Sequence, residues 1–132
     1  MNVLIDTSVW VDHFRRRNER LVQLITTDQA LTHSLVLLEL ACGTPPAPRA
    51  RTLHDIGLLR RVQQATPSEI MRFIETERLY GQGCGGADLT LLASALITPG
   101  TRLWTLDRRL EKLARQFNVA FAQQMHRAES VR

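Results

Sequence analysis

Four acidic residues that are far apart in the chain each stand beside or inside an apolar run: Asp6, Glu39, Asp88 and Asp107. Burying an unpaired carboxylate costs several kcal/mol, so a chain that does this repeatedly is expected to provide a partner for the charge. Carboxylate oxygens are ligands that hard divalent cations prefer. The pattern therefore indicates carboxylates gathered around a metal ion.

Each of these residues also has a simpler interpretation. Asp88 and Asp107 could be ordinary helix caps. Asp6 could belong to a turn, and Glu39 could lie on an exposed helical stripe. Asp6 and Asp107 nevertheless follow apolar strand candidates, and ligands of open α/β sheets collect beyond the carboxyl ends of the strands. Because Asp88 also begins a predicted helix beside a glycine-rich loop, the joint arrangement favours a metal site.

The apolar periodicity predicts strands that alternate with helices, which is typical of an α/β fold with a mainly parallel sheet. The strands are expected at residues 2–5, 29–33, near Val62, at 102–106 and at 119–121. The helices are expected at residues 8–17, 18–25, 35–42, 49–59, 66–80 and 89–97, and from 107 onward. Residues 123–132 are polar and are expected to fray. With no internal repeat or linker, a single domain over residues 1–132 is expected.

Length and composition also favour one globular domain, since the chain has 132 residues and a hydrophobic content of 44%. No apolar stretch approaches the roughly 20 residues that cross a bilayer. The amino-terminal sequence shows neither a basic leader nor a cleavage site, so a cytoplasmic protein is expected. In that compartment Cys42 and Cys84, which have no metal-ligand spacing, are expected to be reduced structural thiols.

The chain is basic, with a net charge of +4, and every basic residue except Lys112 is an arginine. The planar guanidinium group of arginine suits bidentate contact with phosphate or carboxylate groups. The composition therefore favours a polyanionic substrate or an acidic protein partner, although a solvated basic surface would have the same composition.

Other chemistries find less support in the sequence. The histidines show no pair at ligand spacing and are expected to have structural or surface roles, which argues against a zinc site. They are His13, His33, His54 and His126. The glycine-rich loop at residues 81–86 lacks the Lys-Ser or Lys-Thr pair of a Walker-type phosphate loop. Trp10 and Trp104 flank predicted strand ends and are expected in the core.

Four segments together resemble the motifs of PIN-domain nucleases, particularly the VapC-type toxins of bacterial toxin-antitoxin pairs. They are residues 4–10 (LIDTSVW), 38–43 (LELACG), 87–95 (ADLTLLASA) and 103–110 (LWTLDRRL). No single motif is specific, but the four occur in the family's order and span essentially the whole chain. The loop at residues 81–86 is richer in glycine than the family pattern suggests.

The resemblance implies a three-layer α/β/α sandwich with an acidic pocket that binds Mg²⁺ or Mn²⁺. Asp6 and Asp88 would be the main metal ligands, and the other two carboxylates would bind directly or through water. Ser8 and Thr105 fall at hydroxyl positions that would orient the ligands or the waters. The implied reaction is hydrolysis of an RNA phosphodiester bond by a metal-activated water.

The same resemblance implies an RNA substrate, a VapB-type antitoxin as partner, and a homodimer that assembles further with the antitoxin. DNA would be bound only through the antitoxin, and no membrane is expected. The antitoxin would lie along an apolar groove near the helices at residues 21–25 and 35–59 and would reach the pocket with a basic side chain. Arginines near Asp6 and Asp107 in sequence are the expected contacts to the RNA backbone. They are Arg15, Arg16, Arg108 and Arg109.

Two other functions stay open. A catalytically idle PIN-like module would bind RNA or protein, and the complete set of four carboxylates argues against it. A phosphoacceptor receiver module would need adjacent acidic residues after the first strand and a lysine near the last. Here Thr7 follows Asp6, and Lys112 lies in a predicted helix.

Overall fold

A parallel sheet of four strands forms the centre of the computed structural model, which describes residues 1–121. The strands are β1 (Asn2–Ile5), β2 (Ala30–Thr32), β3 (Arg60–Arg61) and β4 (Thr101–Trp104), in the spatial order β3-β2-β1-β4. The polar tail predicted at residues 123–132 lies outside the described residues. The mainly parallel sheet predicted from the sequence is confirmed.

The central strand β1 is buried on both faces. Val3, Leu4 and Ile5 have no exposed surface, and β1 pairs in parallel with both β2 and β4. A strand covered on both sides reads as a continuous apolar run, which is why residues 2–5 were recognisable from the sequence. The strand predicted at 119–121 is reduced to a single parallel bridge between Ala120 and Leu103.

The described residues also form seven helices. They are α1 (Thr7–Arg15), α2 (Glu19–Thr26), α3 (Ser34–Cys42), α4 (Arg49–Gly57), α5 (Pro67–Glu77), α6 (Gly86–Ile97) and α7 (Arg108–Gln116). Helix α3 contacts α1 and α4, whereas α6 contacts α5, α7 and strand β4. These groups form the outer layers of a three-layer α/β/α sandwich, as predicted, and none of the helices within residues 1–121 is long and apolar enough to cross a membrane.

Several predicted boundaries were wrong by two or three residues. Helix α5 was expected to reach residue 80 but ends at Glu77, because Arg78 takes a left-handed conformation with φ 55°. Helix α6 was expected at residue 89 but begins at Gly86, since the carbonyl of Gly85 accepts from the N–H of Leu89. Asp88 therefore lies inside the first turn of α6.

Strand β4 was expected to reach residue 106 but ends at Trp104. Beyond Trp104, the N–H groups of Leu106 and Asp107 donate to the hydroxyls of Ser8 and Thr105, so these groups are not available to pair with a neighbouring strand. This early end turns the segment after β4 towards the carboxyl end of β1.

The strand order places a topological switch point between β1 and β4. The chain leaves β1 towards β2 and β3 on one side, and later returns to pair β4 on the other side. Open α/β sheets bind ligands at this kind of switch point, beyond the carboxyl ends of the strands. Asp6 follows β1 directly, and Thr105 follows β4 directly, so both lie at this edge. Trp10 and Trp104 are buried nearby in the core, as predicted.

The start of α5 provides a test of local stability. Thr66 Oγ1 accepts from the N–H of Glu69 at 3.2 Å, and Glu69 Oε1 accepts from the N–H of Thr66 at 2.8 Å, which forms a capping box. The substitution Thr66→Ala removes one of these acceptors and should lower the free energy of unfolding by about 1 kcal/mol. Urea denaturation measures this change, and Thr66→Ser, which keeps the hydroxyl, should stay close to the native value.

Candidate metal centre at the carboxyl edge of the sheet

Asp6 is the most buried of the four carboxylates, with 6% of its surface exposed. It occupies the cap position of α1 but makes no capping hydrogen bond. Its Oδ2 atom instead accepts from Ser8 Oγ at 2.6 Å and from Thr105 Oγ1 at 2.7 Å. Among the described residues Oδ1 has no hydrogen-bond donor, so this oxygen keeps its lone pairs for a ligand.

The two hydroxyls are themselves fixed by the backbone. Ser8 Oγ accepts from the N–H of Leu106, and Thr105 Oγ1 accepts from the N–H of Asp107, both at 3.0 Å. Because each hydroxyl accepts from the backbone, its own hydrogen is directed to the carboxylate of Asp6. The sequence predicted orienting roles for these two hydroxyls, and both contact a predicted metal ligand.

Asp88 is half-buried in the first turn of α6. Its pKa is raised above the ordinary value, first by burial and then by the negative charges of Asp6 and Asp107, with a smaller effect of Glu39. A backbone hydrogen bond from Gly85 opposes the shift. The structure therefore brings all four predicted carboxylates into one electrostatic neighbourhood.

Glu39 lies on α3 with its side chain exposed, so its charge is not buried as the sequence argument supposed. Its Oε1 atom accepts from Thr7 Oγ1 at 2.7 Å, which ties α3 to the start of α1. Thr7 was not predicted to contribute to the site. The sequence contains one indication of this role, because Thr7 directly follows Asp6. A hydroxyl at the start of a helix beside one acidic residue can reach a second carboxylate of the same site.

Asp107 is a helix cap, which is one of the two interpretations that the sequence left open, and its metal-binding role stays a prediction. Its Oδ1 atom caps α7 by accepting from the N–H groups of Arg109 at 2.9 Å and Leu110 at 3.0 Å. The same carboxylate contributes to the raised pKa of Asp88. Asp107 is exposed, so its second oxygen can face solvent or a ligand.

The donor set fits a hard divalent cation, because it consists of carboxylate oxygens whose mutual repulsion a cation would relieve. Within residues 1–121, however, no three Asp, Glu, His or Cys side chains are arranged as a ready ligand set. Mg²⁺ is commonly bound through one or two carboxylates and keeps several waters, so such a set is not required. The side chains are close enough to affect the pKa of Asp88 but are not packed as a cage.

The predicted RNA-contacting arginines have different surroundings. Arg15 is exposed and lines a cavity of about 490 Å³ together with Glu39. Arg16 and Arg108 are exposed as well. Arg109 is exposed too, but its Nη1 atom donates to the carbonyl of Gly83 at 3.2 Å.

The histidines and cysteines that the structure describes have no part in this arrangement of carboxylates. His13 and His33 each accept a backbone N–H through Nδ1, and burial is the main reason that both have a lowered pKa. Cys42 and Cys84 are both free thiols. Burial and the charges of Asp88 and Asp107 raise the pKa of Cys84, which disfavours its reactive thiolate form.

Comparison with known proteins agrees with this architecture. The model of the PIN domain family matches residues 3–116, and the chain therefore belongs to the PIN-domain family. The chain is also 38% identical over 123 residues to "Ribonuclease VapC32" of Mycobacterium tuberculosis, in strains CDC 1551 / Oshkosh and ATCC 25618 / H37Rv. Each alignment covers 93% of this chain and 98% of the relative.

The raised pKa of Asp88 predicts how stability depends on pH. A carboxyl whose pKa is higher in the folded protein is penalised when ionised, so it destabilises the fold at neutral pH and less so as the pH falls through the raised value. We expect Asp88→Asn to unfold at a higher temperature than the native chain at pH 7 in EDTA. The difference should shrink as the pH approaches 3.8, the ordinary pKa of this carboxyl.

Thermal unfolding followed by circular dichroism measures this effect. Asp55→Asn is a suitable control, because it removes a negative charge from an exposed ion pair with Arg51. The control should not raise the unfolding temperature. Equal stabilisation by both substitutions would mean that Asp88 carries no special electrostatic penalty.

Proposed function

We propose that this chain is a Mg²⁺- or Mn²⁺-dependent endoribonuclease and the toxin of a VapBC-type toxin-antitoxin pair. Membership of the PIN-domain family and the similarity to a ribonuclease support the RNA-cleaving activity. One observation supports the metal dependence: among residues 1–121 nothing donates a hydrogen bond to Asp6 Oδ1, while burial and the charges of the other carboxylates raise the pKa of nearby Asp88.

The roles of the four carboxylates follow from their contacts. Asp6 is held by two hydroxyls and can present Oδ1 without losing orientation. Asp88 supplies the second main ligand, from a helix start where the dipole favours a negative charge. The exposed Glu39 and Asp107 can complete the pocket directly or by holding waters.

A divalent ion bound there would lower the pKa of a coordinated water and stabilise the charge that develops on the phosphate. The protein side chains would orient the ion and its waters, and they supply no covalent nucleophile. Exposed arginines near Asp6 and Asp107 in sequence are proposed to hold the RNA backbone, a contact that gives affinity without sequence choice. They are Arg15, Arg16 and Arg108.

The site assignment is tested by Asp6→Asn. Asparagine keeps an oxygen that can accept from Ser8 and Thr105, so the fold should persist, while the ligand charge is lost. Since removing even an outer partner of a metal ligand commonly costs about 10–100-fold, we expect RNA cleavage to fall by at least about a hundredfold. The measurement is the rate of cleavage of labelled RNA at saturating Mg²⁺ or Mn²⁺.

EDTA should abolish cleavage by the native chain, and Asp55→Asn should cleave at the native rate. Thermal unfolding verifies that Asp6→Asn is folded. A folded Asp6→Asn protein that cuts RNA as fast as the native chain would refute the assignment. Native protein that binds RNA but never cleaves it, with or without metal, would instead favour the idle binding module.

The antitoxin is proposed to occupy cavities between α1, α3 and the proline-rich loop that follows α3. One cavity of about 490 Å³ is lined by Val11, Phe14 and Pro46, and reaches Glu39. A second cavity of about 330 Å³ adjoins it and shares Phe14 and Pro46. An apolar segment of the antitoxin could therefore lie next to the acidic edge, with a basic side chain directed towards Glu39.

This location refines the groove expected from the sequence. Leu21 and Leu24 of α2 are fully buried in the core, so they offer no apolar surface to a partner. The residues of α3 and α4 do line the two cavities, and α1 contributes the opposite wall.

The groove is tested with Val11→Arg. Val11 is 37% exposed and lines the larger cavity, so the substitution should obstruct the groove while leaving the core intact. Co-expression with the product of a short open reading frame immediately upstream should give a complex that co-purifies with the native chain. We expect binding to Val11→Arg to be at least about tenfold weaker, a loss of about 1.4 kcal/mol.

Met71→Lys provides the control, because Met71 is 69% exposed on α5, away from the groove. It should bind the antitoxin as the native chain does. Met71→Lys should also cleave RNA normally without antitoxin, and thermal unfolding verifies that Val11→Arg is folded. Equal binding to Val11→Arg and Met71→Lys would place the antitoxin elsewhere on the surface.

A further inference from the structure

Two hydrogen bonds hold the loop at residues 81–86, which joins α5 to α6. On the side of α5, the side-chain amide of Gln82 donates to the carbonyl of Arg78 at 2.9 Å. On the side of α7, Arg109 Nη1 donates to the carbonyl of Gly83 at 3.2 Å. This second hydrogen bond joins residues that are 26 positions apart in the chain.

The contact between Arg109 and Gly83 depends on the absence of a side chain at residue 83. Gly83 has φ +88°, and a Cβ atom there would lie 2.9 Å from both Cδ and Nη1 of Arg109. Such distances are too short for ordinary contact, so a side chain at residue 83 would force the end of the arginine to move. The positive φ independently favours glycine at this position.

Arg109 lies in the first turn of α7 and is held there by the helix cap. Its backbone N–H donates to Asp107 Oδ1 at 2.9 Å, while its side chain reaches the loop that leads into α6 and Asp88. One residue thus links the segment carrying Asp107 to the segment carrying Asp88.

The charges around Cys84 support this placement. Burial is the main cause of the raised pKa of the Cys84 thiol, the charges of Asp88 and Asp107 raise it further, and Arg109 lowers it. All three charges therefore act on the same point of the loop.

We propose that Arg109 is a positioning residue, which fixes Gly83 against α7 and thereby sets the location of Asp88 relative to Asp107. This role rests on the proposed metal-dependent function. It differs from the RNA-backbone contact expected for Arg109 from the sequence, because the guanidinium is engaged within the protein. The two roles predict different measurements.

Mn²⁺ binding to the RNA-free protein, measured by calorimetry, separates the two roles. Arg109→Ala should weaken Mn²⁺ binding by about tenfold, in the range typical of partners that orient metal ligands. Gly83→Ala should do the same by displacing the guanidinium, and the double variant should be no weaker than either single variant because both remove one contact. Arg109→Lys, which keeps one donor, should recover part of the affinity.

Two matched controls are available. Arg108→Ala removes the same charge from the exposed neighbouring position. Gly81→Ala introduces the same kind of backbone strain at φ +72°, but its added Cβ would have no heavy atom within 4 Å. Both controls should bind Mn²⁺ with native affinity, and thermal unfolding verifies that each protein is folded.

Native Mn²⁺ affinity in folded Arg109→Ala, combined with a higher KM for RNA and a weaker salt dependence of cleavage, would assign Arg109 to the RNA backbone and overturn the positioning role. Equal weakening by Gly83→Ala and Gly81→Ala would also overturn it, because backbone strain alone would explain the loss. If the native chain and Asp88→Asn both failed to bind Mn²⁺, the proposed metal centre itself would be refuted.

Discussion

The hydroxyls of Ser8 and Thr105 donate to a single oxygen of Asp6, and this shared acceptor joins the ends of the two strands that border the switch point. Hydrogen bonds to a carboxylate are stronger than bonds between neutral groups, so the two hydroxyls offset part of the cost of burying this side chain almost completely. The same hydroxyls accept from the backbone just beyond β4 and so fix the turn that leads to Asp107. The position of Asp6 and the turn that leads to Asp107 therefore depend on one network of hydrogen bonds.

The repulsion between the carboxylates at this edge lowers the stability of the fold. Asp88 is partly buried among like charges, and the basic residues that give the chain its net charge of +4 do not prevent the rise in its pKa. Functional sites are commonly the places where a protein departs from its best local packing and electrostatics. A partner cation would convert this repulsion into binding affinity.

The sequence predicted those features that depend on local pattern. The buried run before Asp6 and the strand–turn–helix pattern around Asp107 placed both residues at the correct edge of the sheet. The sequence left a buried and an exposed position open for Glu39, because the helix that carries it is apolar on most of its surface and periodicity alone did not show which face is covered. The contact of Arg109 with Gly83 could not be predicted from the sequence, because it depends on a positive φ and on the tertiary contact of two distant segments.

The bond between Thr105 and Asp6 spans 99 residues of sequence, so the acidic edge can form only after the residues that follow β4 have been made. Contacts of such long range carry the largest loop-closure cost and slow the folding of the elements that they join. During synthesis at about 5–20 residues per second, β1 would wait roughly 5–20 s for the strand that completes its carboxyl end. A nascent chain would thus carry Asp6 for several seconds before the rest of the acidic edge could assemble. The proposed activity would therefore begin only after most of the chain had been made.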